Sequence, residues 1–194
     1  RQMGTQQIKP YGAWKSPITT DMLVAKSVRL QQVVADGPDI YWNESRPAEA
    51  GRYVIVRWVG EGAGHAADRT PAENPTLDLT PPPFSARSTV HEYGGGDFIV
   101  VGGMAYFSNF ADQRIYRQPL AGPPTPLTPE SDARYAYYAC DARRNRLICV
   151  REDHAGAAEG ATRSSDCVVN TIAAIALADG AVRTLVSGSD FYST

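Results

Sequence analysis

Asp39-Ile40-Tyr41-Trp42-Asn43-Glu44, Met104-Ala105-Tyr106-Phe107-Ser108-Asn109 and Arg146-Leu147-Ile148-Cys149-Val150-Arg151-Glu152 read as three versions of one strand. Each is a short apolar and aromatic run closed by polar residues, the pattern of a strand rather than a helix. A second apolar strand follows each of them, at Tyr53–Val56, Arg114–Arg117 and Asn170–Ile175. Each unit then closes, on Leu77-Asp78-Leu79-Thr80-Pro81, Pro126-Leu127-Thr128-Pro129 and Arg183-Thr184-Leu185-Val186-Ser187. From Leu79 to Leu127 to Leu185 the steps are 48 and 58 residues. Upstream of the repeated strand stand Val28–Val34, closed by Asp36-Gly37-Pro38, and Phe98–Val101, which turns at Gly102-Gly103. Ile172–Leu177 and Val182–Val186 read as another hairpin, around Asp179-Gly180. A four-stranded antiparallel unit recurring every ~40–50 residues is the sequence shape of a propeller blade.

The expected class is therefore all-β, a partial β-propeller of about three four-stranded antiparallel blades. Residues 1–27 lead in, 28–84 form blade one, 85–130 blade two and 131–188 blade three, and 189–194 open a further blade. A single β-sandwich of about a dozen strands is the alternative. The recurring Leu-Thr-Pro closure after a Gly- or Pro-rich turn favours blades. Propellers close with four to eight blades. Three would leave apolar faces and strand edges bare, so the chain reads as a piece of a longer protein whose start looks authentic, with Met3 near the front, and whose end does not.

The 194 residues are 43% hydrophobic and 21% charged, which excludes a disordered or membrane-like chain. With 19 basic and 21 acidic residues the net charge is −2, so no basic field calls for nucleic acid or an anionic membrane. The longest apolar runs, such as Phe98–Val101, fall far short of a bilayer span. No charged-then-apolar leader directs export, and a cytoplasmic protein is expected. Three cysteines, Cys140, Cys149 and Cys167, show no CxxC spacing. Cys140 and Cys149 can face each other across the hairpin turning at Arg143-Arg144-Asn145, as a cross-strand disulfide or as two buried thiols.

Several stretches in a fixed order carry a family resemblance. They are Pro10-Tyr11-Gly12-Ala13-Trp14-Lys15-Ser16-Pro17-Ile18-Thr19, Asp39–Trp42 with Arg46-Pro47 and Gly51-Arg52, and Asp78-Leu79-Thr80-Pro81-Pro82-Pro83-Phe84. His91-Glu92-Tyr93-Gly94-Gly95-Gly96, Tyr106–Arg114, Arg151-Glu152-Asp153-His154, Val169-Asn170-Thr171 and Ser187–Tyr192 complete the set. Together they resemble the amino-terminal half of the propeller in acylaminoacyl-peptidase or dipeptidyl-aminopeptidase-like members of the prolyl oligopeptidase family, over about residues 10 to 194. The resemblance implies a seven-bladed propeller capping an α/β-hydrolase domain whose Ser-Asp-His triad cleaves short peptides. It implies the remaining blades and that hydrolase domain as partners, a short peptide as substrate, and no cofactor.

The chain contains no G-x-S-x-G elbow, so no catalytic residue is expected in it. A triad built from His65, His91 or His154 and one of the serines is disfavoured. His91, Glu92 and Tyr93 are the candidate substrate contacts, as a histidine, a carboxylate and a ring at the inner mouth of the propeller. The competing reading is architectural: the glycines allow positive φ and close packing, while His91 and Glu92 hydrogen-bond nearby backbone. Glu152-Asp153-His154 carries metal-ligand types. Neighbouring strand residues point to opposite faces, so Asp153 and His154 do not converge on one ion, and no metal is expected. Asp112-Gln113-Arg114 reads as a solvated turn or an inter-blade ion pair. The Gly60–Asn74 and Ala155–Ser165 connections read as surface loops. A binding module with no peptidase is the alternative function, and a propeller glycosidase a weaker third for want of an inward carboxylate pair.

Overall fold

A computed structural model describes residues 10–13, 27–58, 76–154 and 168–192. The connections at Gly60–Asn74 and Ala155–Ser165, together with His65 and Cys167, lie outside the described residues. Among the described residues, twelve strands form three four-stranded antiparallel meanders, each in sequence order. Blade one comprises β1 (Arg29–Asp36), β2 (Asp39–Arg46), β3 (Arg52–Trp58) and β4 (Thr76–Asp78). Blade two comprises β5 (Phe98–Val101), β6 (Met104–Ser108), β7 (Ile115–Pro119) and β8 (Thr125–Pro126). Blade three comprises β9 (Ala133–Asp141), β10 (Arg146–Asp153), β11 (Val169–Ala176) and β12 (Val182–Ser187). The first strands converge, β1 beside β5 and β5 beside β9, which is the geometry of a partial propeller and not of a sandwich.

Period-2 alternation explains how the blades stack. Ala105 and Phe107 of β6 pack into a cluster with Tyr41, Ile55 and Phe98, closing the junction of blades one and two. Their neighbour Tyr106 points the other way, joining Tyr135, Leu147, Cys149 and Ile175 between blades two and three. Phe107 and Tyr116 stack with centroids 5.8 Å apart. Each fully buried side chain of this size contributes about 1.5–3 kcal/mol relative to exposure.

The repeated Leu-Thr-Pro has a definite task. Leu79 N–H donates to the Ile55 carbonyl (2.8 Å) and Leu127 N–H to the Ile115 carbonyl (2.7 Å). The following threonine hydroxyl accepts from the amide of the same isoleucine, Thr80 from Ile55 (3.2 Å) and Thr128 from Ile115 (3.0 Å). An arginine at the start of the third strand then caps the threonine carbonyl, Arg52 on Thr80 (2.9 Å) and Arg114 on Thr128 (2.9 Å). The proline stops the chain from continuing along the sheet edge. Polar side chains also cross the junctions: Asn43 donates to the Ala86 carbonyl (2.9 Å) and the Ser108 hydroxyl to that of Tyr135 (2.5 Å).

One alternative is decided and one expectation changes. The register pairs Cys140 with Leu147, two residues short of Cys149. Both cysteines are free, so the cross-strand disulfide does not form. Cys149 is buried and its thiol is pushed up to about 12 by that burial, whereas Cys140 is only half-buried. Asp112-Gln113-Arg114 is a half-buried network instead of a solvated turn. Asp112 accepts from the Tyr116 hydroxyl (2.7 Å) and from Asn109 (2.9 Å), and Gln113 accepts the Thr89 amide (2.9 Å).

Candidate functional site

The stretch His91–Gly96 is a left-handed turn feeding β5. His91, Glu92, Gly94, Gly95 and Gly96 have φ of 55°, 68°, 73°, 113° and 57°. Left-handed backbone costs a non-glycine residue about 1–2 kcal/mol, so His91 and Glu92 need compensation. The turn supplies it through Glu92 N–H to the Thr89 carbonyl and Gly94 N–H to that of Val90, both 3.0 Å. Two glycines are also required by space. A Cβ on Gly94 would fall 2.4 Å from the Ser88 carbonyl oxygen, and one on Gly96 2.6 Å from the Tyr137 amide nitrogen. At Gly96 the reason is Tyr137, left-handed at φ 59°, which bulges β9 against β10 and donates its N–H to the Gly96 carbonyl (2.8 Å). Blade three is thereby clipped to the turn of blade two.

Glu152, near the end of β10, is the electrostatic centre. Its carboxylate accepts the His91 N–H (3.1 Å), the His154 Nε2–H (2.9 Å) and Arg134 (3.4 Å). Arg134 also donates to the Thr89 carbonyl and the Glu92 carboxylate, both 2.9 Å. The His91 ring is 4% exposed and donates from Nε2 to the Tyr192 carbonyl (3.4 Å). The Phe191 ring lies edge-on to it at 5.0 Å. Asn170 of β11 ties this segment down by donating to the Asp190 carbonyl (2.7 Å). These groups surround a cavity of about 540 Å³ lined by His91, Glu92, Glu152, His154, Asn170 and Phe191 among others.

Of the three candidates, the structure uses His91 as a buried strut and presents the other two outward. The Glu92 side chain is 77% exposed and Tyr93 is 76% exposed. The Glu92 carboxylate accepts from the Arg134 guanidinium (2.9 Å). Glu152 and His154 do meet, because residues two apart on a strand share a face, while Asp153 turns to Arg151 (2.5 Å). Among the described residues, no group of three or more His, Cys, Asp or Glu side chains is arranged to hold a metal ion. Sequence reading passed over Arg134 and Asn170 as site residues; the Glu152/His154 spacing was the available signal. Among the described residues, no serine, threonine or cysteine lines the cavity. The described lining residues can hold a ligand by hydrogen bonds and charge.

Beneath the turn, Asp97 is 2% exposed and accepts from Ser88 N–H (2.7 Å) and Asn43 (3.2 Å). Burial raises its carboxyl above the usual range, against the pull of those donors. Burial likewise pushes the Tyr138 hydroxyl well up, where it shares a short hydrogen bond with Ser108.

No protein-family model matches the chain, and no curated protein matches it significantly. Solved structures do. A puromycin-hydrolyzing peptidase of Mycobacterium tuberculosis is 32% identical with a TM-score of 0.75, covering 97% of this chain and 29% of that one. A puromycin hydrolase is 30% identical with a TM-score of 0.71, and a mutant of it complexed with PGG is 31% identical at 0.72; each match covers 92% of this chain and 27% of the other. Fold and matches define the class: this chain is a partial β-propeller of the prolyl oligopeptidase family. More particularly, it is similar to a propeller part of puromycin-hydrolysing peptidases, and it spans less than a third of their length. Among the described residues no helix is long and apolar enough to cross a membrane.

Proposed function

We propose that this segment caps and gates a serine peptidase domain in the intact protein and contributes no catalytic residue itself. The parent would be a seven-bladed, cytoplasmic enzyme of the acylaminoacyl- or dipeptidyl-aminopeptidase type that hydrolyses short peptides. The observation that carries the reading is the likeness over 92–97% of this chain to one part of longer peptidases. His91, Glu92 and Tyr93 are proposed to meet the peptide as it passes the propeller mouth, with exposed Glu92 and Tyr93 making the contact and His91 holding them in place.

The test compares the intact protein with this segment alone on aminoacyl and acyl chromogenic amides, and on puromycin, for which the similar proteins are named. The intact protein is expected to cleave them and the segment to be inert. Activity in the segment alone would sink the reading. An intact protein without hydrolytic activity would favour an interaction module instead. Gating is checked by competition: a short peptide should compete for the site and a folded protein of similar sequence content should not.

A further inference from the structure

Arg87 stands apart from the other interior arginines. Arg46, Arg52, Arg57, Arg114, Arg134 and Arg151 each donate at least one guanidinium hydrogen bond to a carboxylate or carbonyl. The half-buried Arg87 side chain feels the charge of Asp97 but has no hydrogen-bond acceptor among the described residues. Its guanidinium carbon instead lies over the Tyr53 ring and over the Phe110 ring, 5.0 Å from each centroid. Two aromatic contacts fix the guanidinium plane without using any N–H donor. The backbone beneath it is fixed as well. Arg87 N–H donates to the Ser108 carbonyl (2.9 Å), and Gln113 Nε2 donates to the Phe110 carbonyl (3.0 Å) while Gln113 accepts the Thr89 amide. A held guanidinium fork four residues before His91, its N–H donors without an acceptor among the described residues, is a receptor awaiting a planar anion.

We infer that Arg87 binds the carboxylate of a short peptide at the propeller face, with Phe110 and Tyr53 flanking the residue that bears it. The fork matches a carboxylate bidentately, and Phe110, 45% exposed, offers an apolar wall beside it. The choice of a peptide rests on the proposed peptidase function; the anion site itself rests on the Arg87 geometry.

The experiment titrates the intact protein by calorimetry with N-acetyl-L-phenylalanine and with its amide, which differ only in the charged group. The acid is expected to bind about ten-fold more tightly or better, the worth of a charge-assisted hydrogen bond. Arg87→Lys and Arg87→Gln should each bring the acid down to the affinity of the amide, with the thermal midpoint recorded to establish that both variants fold. Equal binding of acid and amide by the unaltered protein overturns the inference, as does an acid preference that survives in a folded variant. Inorganic phosphate displacing the acid at equal affinity would overturn the carboxylate assignment. Hydrolysis of chromogenic amides, assayed on the same samples, separates the two readings. Cleavage without acid preference defeats this inference alone, and acid preference without cleavage defeats the peptidase reading alone.

Discussion

Gly96 and Gly102 have nearly the same left-handed φ, 57° and 59°, but only Gly96 has a neighbour where a side chain would go. Gly102→Ala therefore carries only the backbone penalty, about 1–2 kcal/mol. Gly96→Ala adds a collision with the Tyr137 backbone and is expected to cost about 2–5 kcal/mol. Denaturant midpoints of the two variants check the ordering; equal losses would mean that Tyr137 does not press on the turn. Asp97 gives a second residue-scale prediction, on pH. Its folded carboxyl is raised by burial, so the native state binds that proton more tightly than the unfolded chain. Its contribution to stability is greatest below the ordinary aspartate range and is lost as pH rises through the raised value. Asp97→Asn loses an acceptor for Ser88 or Asn43 and is expected to destabilise by about 1–3 kcal/mol at neutral pH. It should also lack the wild type's gain on acidification, so the gap between the two widens as pH falls toward 4. Parallel melting curves across that range test the sign.

At the scale of elements, the Leu-Thr-Pro closure links sequence and fold most directly. Thr80→Val and Thr128→Val each strip an acceptor from a buried isoleucine amide and should cost about 1–3 kcal/mol, with serine restoring most of it. Thermal midpoints of the valine and serine pairs decide this; valine variants as stable as the serine ones would show that the hydroxyl is idle. The closure was legible as a repeat because a threonine and a proline recur after an apolar third strand. Its capping arginines were not, because Arg52 and Arg114 sit at different offsets from the isoleucine they serve. Strands and hairpins could be read from alternation and from Gly102-Gly103, whose paired positive φ values suit a two-residue hairpin turn. The site was legible only as His91–Gly96. Glu152, Arg134 and Asn170 come from blade three, and no local pattern reveals which distant carboxylate a turn will meet. The same limit explains the misjudged Asp112 turn, where short polar residues that look solvated are held by Tyr116 and Asn109 from either side.

For the whole molecule, the informative surface is the apolar face that the three blades do not cover. In blade one, Val34 and Tyr41 face blade two, so their neighbours Val33 and Ile40 point outward and are 67% and 40% exposed. In blade three, Val186, paired with Ile172, is 51% exposed on the side away from blade two. A monomeric protein seldom leaves such faces open. In a longer chain, further blades would bury them as Phe107 and Tyr106 are buried here. Val33→Asp and Val186→Asp should then behave as core substitutions in the intact protein, each costing several kcal/mol because an unpaired charge is buried. Tyr93→Ser, at a site no less exposed, should stay within about 0.5 kcal/mol. Chemical denaturation of the intact protein distinguishes the cases. If the aspartate variants were as mild as the serine one, these faces would be surface in the parent, and the ring would have to close without packing against them.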